Sequence, residues 1–496
     1  MGKELLLVID QGTTGTKVLV VDAQARLVAT AYEEVQQYYP QQGWVEHDPE
    51  EIWQSIQRLL QLALAQVDPQ QIRGIGITNQ RETALAWDRA SGEPVHRTIV
   101  WQCRRTVSSC QNLREQGREA LVRSKTGLTI DPYFSGSKFQ WFLTHVEQAK
   151  SLADQDQLCL GTMDSWILWK LTNGACFGTD VSNASRTLLF NTATMDWDDE
   201  LLGVFGVPRS ALPTPQATAH VFGQTSELGL LPAGIPIASM VGDSQAALFG
   251  QCCFEPGMAK ATYGTGTSVM MFHGDERPEP PAGMLATVAW ATESGVSYAI
   301  EGTINVTGAT MQWLRDGLEL LDDAAESDRI ASGLADNGGV YLVPAFAGLG
   351  APHWDMEAKG LLTGFTRGTT KEHLIRAALE STAFQVVDVV RHAHAHGMAA
   401  IRQLWADGGA SNNQFLMQFQ ADVLDAAVMT APVKEVSALG AAYMAGLTLG
   451  IWPDKESIRD LRKPSKVYTP RMPAAKRELL LTQWSEAVER CLTKQT

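Results

Sequence analysis

Leu5-Leu6-Leu7-Val8-Ile9-Asp10-Gln11-Gly12-Thr13-Thr14-Gly15 decides the fold of this chain. An unbroken apolar run closed by a carboxylate marks a strand buried on both faces. The Gly/Thr segment reads as a turn, and Thr16 to Asp22 and Arg26 to Tyr32 read as two further strands. Two strands joined through a Gly/Thr turn form a β-hairpin, not the strand-to-helix junction of a Walker loop. Asp48-Pro49-Glu50-Glu51 supplies an N-cap, a proline at the first helical position and first-turn acids, so a helix is expected over Ile52 to Val67. Ile72 to Thr78 reads as the next strand. The second half opens in a related way, with strands over Met258 to Thr262 and Ser268 to Phe272 around Tyr263-Gly264-Thr265-Gly266-Thr267. Two short turns leave open whether the halves are duplicates.

A chain of 496 residues is too long for one hydrophobic core and implies two or more domains. Ala219 to Pro256 is the natural boundary region, giving domains 1–247 and 248–496 of an α/β protein. Hydrophobic content of 45% with 19% charged residues argues against both disorder and a membrane protein. No apolar run approaches the roughly 18–20 residues that span a bilayer. The opening residues are too short a run, and acidic too early, for a signal peptide. A net charge of −15 opposes a nucleic-acid partner. Seven scattered cysteines without CxxC spacing are expected to be reduced, buried thiols of a cytoplasmic protein. The ten histidines suggest no metal cluster.

Asp10 to Gly15 sets a carboxylate beside a flexible turn rich in hydroxyls and exposed N–H groups, which suits phosphate as well as an ordinary hairpin. Asp10 is of the type that holds Mg²⁺, usually through water. Thr265-Gly266-Thr267 is similar, and the two turns together are suited to gripping a polyphosphate from opposite sides of a cleft. Asp407-Gly408-Gly409-Ala410-Ser411-Asn412-Asn413, between a strand over Ile401 to Trp405 and a helix over Phe415 to Leu424, fits a flat base as well as a helix cap. Asn79-Gln80-Arg81-Glu82-Thr83 sits where a strand ends, as ligand loops do in open α/β sheets. Arg81 offers donors and Glu82 acceptors, suiting the vicinal hydroxyls of a neutral polyol, although adjacent residues of opposite charge also form surface ion pairs. Asp243, between a strand over Ile237 to Val241 and a helix, is placed either as an N-cap or as acceptor of a proton from an attacking hydroxyl. Trp101 and Tyr133 are aromatics in polar surroundings, suited to a polyol's C–H face or to core packing.

These motifs, in this order, resemble those of the FGGY family of carbohydrate kinases and, within it, the glycerol kinases. The likeness runs from about Leu5 to Trp452 through DQGTT (10–14), GWVEHDP (43–49), GITNQRE (76–82), VWQCRRT (100–106), DPYFSGSK (131–138), NASRT (183–187), YGTG (263–266), QWLRD (312–316), PAFAGLGAPHWD (344–355) and DGGA (407–410). Residues 133–144 and 360–380 match the family's two signature patterns. The resemblance implies two actin-like (ribonuclease H-like) domains around a central cleft where ATP and a small polyol meet. It makes Asp243 the catalytic base, puts Arg81, Glu82 and Tyr133 on the polyol with Trp101 behind them, and Asp10 on the metal-linked position. Thr13, Thr14, Gly15, Thr265, Gly308, Gln312, Gly409 and Asn413 fall on nucleotide positions. A homodimer or homotetramer is implied as well.

Three positions depart from the glycerol-kinase pattern. Ser244 stands where that pattern has Gln, Ser268 where it has an aromatic, and Lys17 where it has Arg. Two smaller pocket residues are expected to enlarge the site and free hydroxyls for extra substrate oxygens. A kinase for a C4–C5 polyol or ketose is therefore the nearest rival to a glycerol kinase, and a non-catalytic nucleotide-gated actin-like protein is a more distant one. The Gly-Gly-Thr-Arg loop that binds fructose 1,6-bisphosphate in regulated bacterial glycerol kinases is replaced by Pro232 to Pro236, so that regulation is not expected.

Overall fold

The structure, a computed structural model, describes residues 4–493 apart from Leu228 and Leu230. The opening run forms the strand β1 (Leu5–Gln11), followed by β2 (Gly15–Asp22) and β3 (Leu27–Glu34). β1 lies between β2, antiparallel to it, and β4 (Ile72–Asn79), parallel to it, and both its faces are covered, Leu5, Leu7 and Ile9 packing into one core and Leu6 and Val8 into another. That position explains an apolar run with no alternation. The helix α1 (Pro49–Leu64) starts where expected, Asp48 accepting from the Glu50 and Glu51 N–H groups at 3.0 and 3.3 Å. Its apolar face, Ile52, Ile56, Leu59, Leu60 and Ala63, is buried against the first sheet's core. It ends at Leu64, short of the expected Val67, in the turn before Asp68-Pro69.

The sheet is completed by β5 (Gly223–Gln224) and β6 (Pro236–Gly242), in the order β3-β2-β1-β4-β6-β5. The second sheet contains β7 (Met258–Tyr263), β8 (Thr267–Gly274), β9 (Leu285–Thr292), β10 (Gly295–Ile304), β11 (Gln403–Asp407), β12 (Ala427–Thr430) and β13 (Lys466–Tyr468). Its order is β9-β10-β8-β7-β11-β12-β13. Leaving aside the edge strand β9, the two sheets share one order and one set of directions. Each has an antiparallel three-strand meander, then two parallel strands, then an antiparallel edge. The duplication left open by two similar turns is thus present as topology.

The helix α2 (Asp243–Gly250) leaves β6 and packs on α5 (Val436–Thr448) between the two sheets. Their approach is close enough that a Cβ on Gly440 would overlap the Ala246 carbonyl. A core of Leu6, Val8, Leu19, Val21, Phe249, Met270, Trp290 and Trp405 joins the lobes across these helices. The region expected as a boundary therefore contains β6, an interior strand of the first sheet, and the division at 247/248 falls inside α2. The physical reason is that the chain crosses between lobes through a packed helix. A second layer beside the first sheet, built on a four-stranded sheet of residues 46–47, 84–88, 98–99 and 158–162, carries Trp101 and Tyr133 on its loops. All seven cysteines are free, six of them buried, and no helix among the described residues is long and apolar enough to cross a membrane.

Candidate active site

Three strand ends converge on one cleft. The hairpin turn after β1 brings Thr13 and Thr14, the end of β4 brings Gln80, Arg81 and Glu82, and the end of β6 brings Asp243 and Ser244. Trp101 and Tyr133 close one side, and the β7–β8 turn with Thr265 and Ser268 faces them from the second lobe. These residues line a cavity of about 810 Å³. Thr14 also lines an adjoining cavity of about 360 Å³, together with Asp10, Gly15 and Lys17. Gly308, Gln312, Gly409 and Asn413 do not line the main cavity. Of these, Gly308 and the Gly408–Gly409 segment adjoin the Thr265 turn. Gly308 packs so tightly on it that a Cβ would overlap the Gly264 carbonyl, and Gly408, at φ +85°, is pressed on the Tyr263 backbone. Gln312 is exposed at the end of α3 (Gly308–Gln312), and Gly409 faces open space. Asn413 caps the helix α4 (Gln414–Leu424), accepting from the Leu416 N–H at 2.9 Å, and its amide donates to Ser327 Oγ at 3.1 Å.

Arg81 and Glu82 are not a surface ion pair. Their side chains are 4% and 2% accessible. Both belong to a buried lattice with Arg186 and Glu301, two residues to which the sequence reading assigned no role. Glu301 accepts from Arg81 Nη2 at 2.8 Å and Nη1 at 3.1 Å, and lies 2.9 Å from Arg186 Nη1. Arg186 Nε donates to Glu82 Oε1 at 2.6 Å. Burial pushes the Glu301 carboxyl up, but the guanidiniums of Arg186 and Arg81 outweigh it and hold the group well below the usual range. The available signal was a lone carboxylate inside the otherwise apolar Tyr298-Ala299-Ile300-Glu301-Gly302, an expensive placement without partners.

Arg186 Nη1 and Nη2 are buried in the lattice without a hydrogen bond among the described residues, whereas the open groups of Arg81 and Glu82 face the cleft. Arg81 Nη1 is further taken by Gln245 Oε1 at 3.3 Å and Nη2 by the Tyr133 hydroxyl at 3.2 Å. Its Nε lies 3.5 Å from both Glu82 Oε1 and Asp243 Oδ1, too long for strong hydrogen bonds. A hydroxyl oxygen between those two carboxylates would meet a free donor. Glu82 Oε1 is held by Arg186, while Oε2 accepts from no group among the described residues. Trp101 Nε1 donates to Thr13 Oγ1 at 2.8 Å, tying the aromatic wall to the phosphate-type turn, and its ring meets Tyr133 edge-on at 5.4 Å.

Asp243 is the first residue of α2, and its Oδ1 accepts from the Ser244 N–H at 2.6 Å. Its side chain stays 40% accessible to the cleft. Enclosure pushes the carboxyl up, Arg81 pulls it down, and Glu82 pushes it up again. Asp10, opposite Lys17 in the hairpin register, is driven by burial up to about 7, against the pull of Lys17 and with a contribution from Asp243. The Lys17 ammonium lies 3.6 Å from Glu435. Of the two serines that depart from the family pattern, Ser268 is not free, since its hydroxyl donates to Glu301 Oε1 at 3.0 Å. That expectation is corrected. Ser244 lines the cavity, and its hydroxyl makes no hydrogen bond among the described residues.

The comparisons agree with this architecture. Residues 5–250 match the N-terminal domain of the FGGY family of carbohydrate kinases and residues 259–449 its C-terminal domain. The chain is 48% identical to glycerol kinase 2 of Thermotoga maritima, over 98% of both chains. It is 49% identical to a glycerol kinase of Carboxydothermus hydrogenoformans, over 99% of this chain and 98% of the other. A crystal structure of Plasmodium falciparum glycerol kinase with ADP superposes with a TM-score of 0.94 at 33% identity, covering 99% of both chains. A xylulose kinase from Lactobacillus acidophilus, at 21% identity and TM-score 0.88 over 98% of both chains, shares the fold. The chain belongs to the FGGY family of carbohydrate kinases, on its glycerol kinase branch.

Proposed function

We propose that this chain transfers the γ-phosphoryl group of ATP to a terminal hydroxyl of glycerol, giving sn-glycerol 3-phosphate. The observation that carries the reading is the single cavity in which Asp243 stands beside Arg81 and Glu82, facing the Thr13-Thr14 and Thr265 turns. One carbinol oxygen accepts from Arg81 Nε and donates to Glu82 Oε2. The neighbouring terminal hydroxyl points at Asp243, which takes its proton as the oxygen attacks phosphorus. Trp101 and Tyr133 cover the carbon chain. Thr13, Thr14 and Gly15 from one lobe and Thr265 from the other supply donors to the phosphates, with Lys17 adding charge. Gly308, Gln312, Gly409 and Asn413 form the nucleotide wall. This assigns phosphate and polyol binding to residues 1–247 and the nucleotide to 248–496. Closure of the lobes would exclude water, the competing acceptor.

The donor set fits Mg²⁺. Asp10 and Asp243 offer hard carboxylate oxygens, and no group of three or more ligating side chains occurs among the described residues. Mg²⁺ in phosphate sites uses one or two carboxylates and completes its octahedron with phosphate oxygens and water. Bound there, it would neutralise phosphate charge. The seven unbridged thiols support action in the cytoplasm, and the family resemblance supports a homodimer or homotetramer.

Commitment of the Ser268 hydroxyl to Glu301 weakens the case for a longer substrate, and the free carboxylate beside Arg81 weakens that for a non-catalytic nucleotide switch. ADP release measured with glycerol, erythritol, xylitol, ribitol, xylulose and ribulose tests the choice. Glycerol should give the highest kcat/KM, and a higher value for any five-carbon substrate would overturn it. Asp243→Asn should bind ATP normally and lose about 10²-fold or more in kcat.

A further inference from the structure

We propose that Asp180, Ser182 and Asn183 form a positioning hub whose two arms separately hold the catalytic base and the polyol clamp. The inference rests on the roles proposed above for Asp243, Arg81 and Glu82. None of the three hub residues lines the cavity, and all are buried, Asp180 at 0%. Asp180 has no ion pair among the described residues. Its charge is met by donors instead. Oδ1 accepts from Ser182 Oγ at 2.9 Å, the Asn183 N–H at 2.9 Å and Asn183 Nδ2 at 2.8 Å. Oδ2 accepts from the Ser182 N–H and Thr218 Oγ1, both at 2.9 Å.

From this anchor two arms reach the paired ends of β6 and β4. Ser182 Oγ, having donated to Asp180, accepts from the Gly242 N–H at 2.9 Å, and Gly242 is the residue before Asp243. Asn183 makes a two-bond amide pair with Asn79, at 3.0 and 3.1 Å, and Asn79 ends the strand that delivers Gln80, Arg81 and Glu82. Thr218 gives the hub a third hold, because its carbonyl accepts from the Met240 N–H on β6 at 3.3 Å.

A four-residue helix at Val181–Ala184 needs a cap, which explains the bonds from Asp180 to the Ser182 and Asn183 N–H groups. Capping does not explain side chains that pass the same carboxylate's orientation on to Asn79 and Gly242, 163 positions apart in sequence and facing each other at the ends of the neighbouring strands β4 and β6. Such buried, hydrogen-bonded networks fix geometry, and a displacement of about 1 Å at a reacting group can cost about 10²-fold in rate.

The arms predict different kinetics in the full-length enzyme with glycerol and ATP. Ser182→Ala frees the Gly242 N–H and lets Asp243 drift, so kcat should fall about 10- to 100-fold with the glycerol KM within about twofold. Ser182→Thr, which keeps the hydroxyl, should restore kcat. Asn183→Ala loosens Asn79 and with it the clamp, so the glycerol KM should rise about tenfold or more while kcat moves less. Ser182→Cys, filling the space with a weaker acceptor, should shift kcat in the same direction should Ser182→Ala not fold. Equal changes in kcat and KM in both variants, or melting temperatures that fall with kinetics intact, would overturn the hub. Asp243→Asn, assayed alongside, separates the two readings. Near-normal turnover there overturns the base assignment, whereas lost turnover combined with an unchanged kcat in Ser182→Ala overturns the hub alone.

Discussion

Replacing Glu301 by Gln removes one charge from a site that is 0% exposed and leaves both guanidiniums in place. Arginine cannot discharge itself by losing a proton. Arg81 and Arg186 would then share Glu82 alone, and Arg81 would be drawn from its bidentate pairing toward Asp243, 3.5 Å away. Breaking a buried pair by removing one partner costs about 3–5 kcal/mol. For a lobe of roughly 250 residues that corresponds to a melting temperature lower by about 6–10 °C. The same movement misplaces Arg81 Nε, so the glycerol KM should rise. Thermal melts at neutral pH and steady-state kinetics read both effects. The sign of the pH dependence follows from the depressed folded pKa of Glu301. Its contribution is fully present above the unfolded value near ~4.3 and is lost as pH falls toward the folded one. Glu301→Gln should therefore also flatten the acid end of the stability curve. A variant melting within about 2 °C of the parent, with an unchanged glycerol KM, would refute the claim that Glu301 holds Arg81.

Gly308→Ala places a methyl against the Gly264 carbonyl, displacing the Thr265 turn, and should raise the ATP KM with little effect on the glycerol KM. An unchanged ATP KM would remove that turn from the nucleotide site. His47 is fully buried, and burial lowers its pKa from 6.5 to about 4. The unfolded chain takes up a proton that the folded one refuses, so stability should drop by at most about 3 kcal/mol as pH falls from about 6.5 to about 4. Denaturant titrations of the parent and His47→Gln across that window should show a shallower slope in the variant. Combining Ser244→Gln with Ser268→Phe fills the cavity and breaks the Ser268–Glu301 bond, and should shift selectivity further toward glycerol over five-carbon substrates. Unmoved selectivity across the substrate panel would show that neither position reads substrate length.

Local chemistry was legible before any coordinates. The run Leu5–Ile9, the Asp48-Pro49 cap and the Gly/Thr turns specify strands, helix and hairpins because each depends on near neighbours, and the order of motifs identifies the family. Residue type also marked Arg81, Glu82, Asp243, Trp101 and Tyr133, which the fold then collects in one cavity. Tertiary structure alone decided how those groups are held. Glu301 and Arg186 lie far along the chain from Arg81, and although the apolar run around Glu301 calls for a buried partner, nothing within a few residues says which. Duplication likewise emerged only from strand order, because pairing direction is a property of distant segments. Propensity and capping act over a few residues, whereas a buried charge gains its meaning from whichever partners the rest of the chain brings to it.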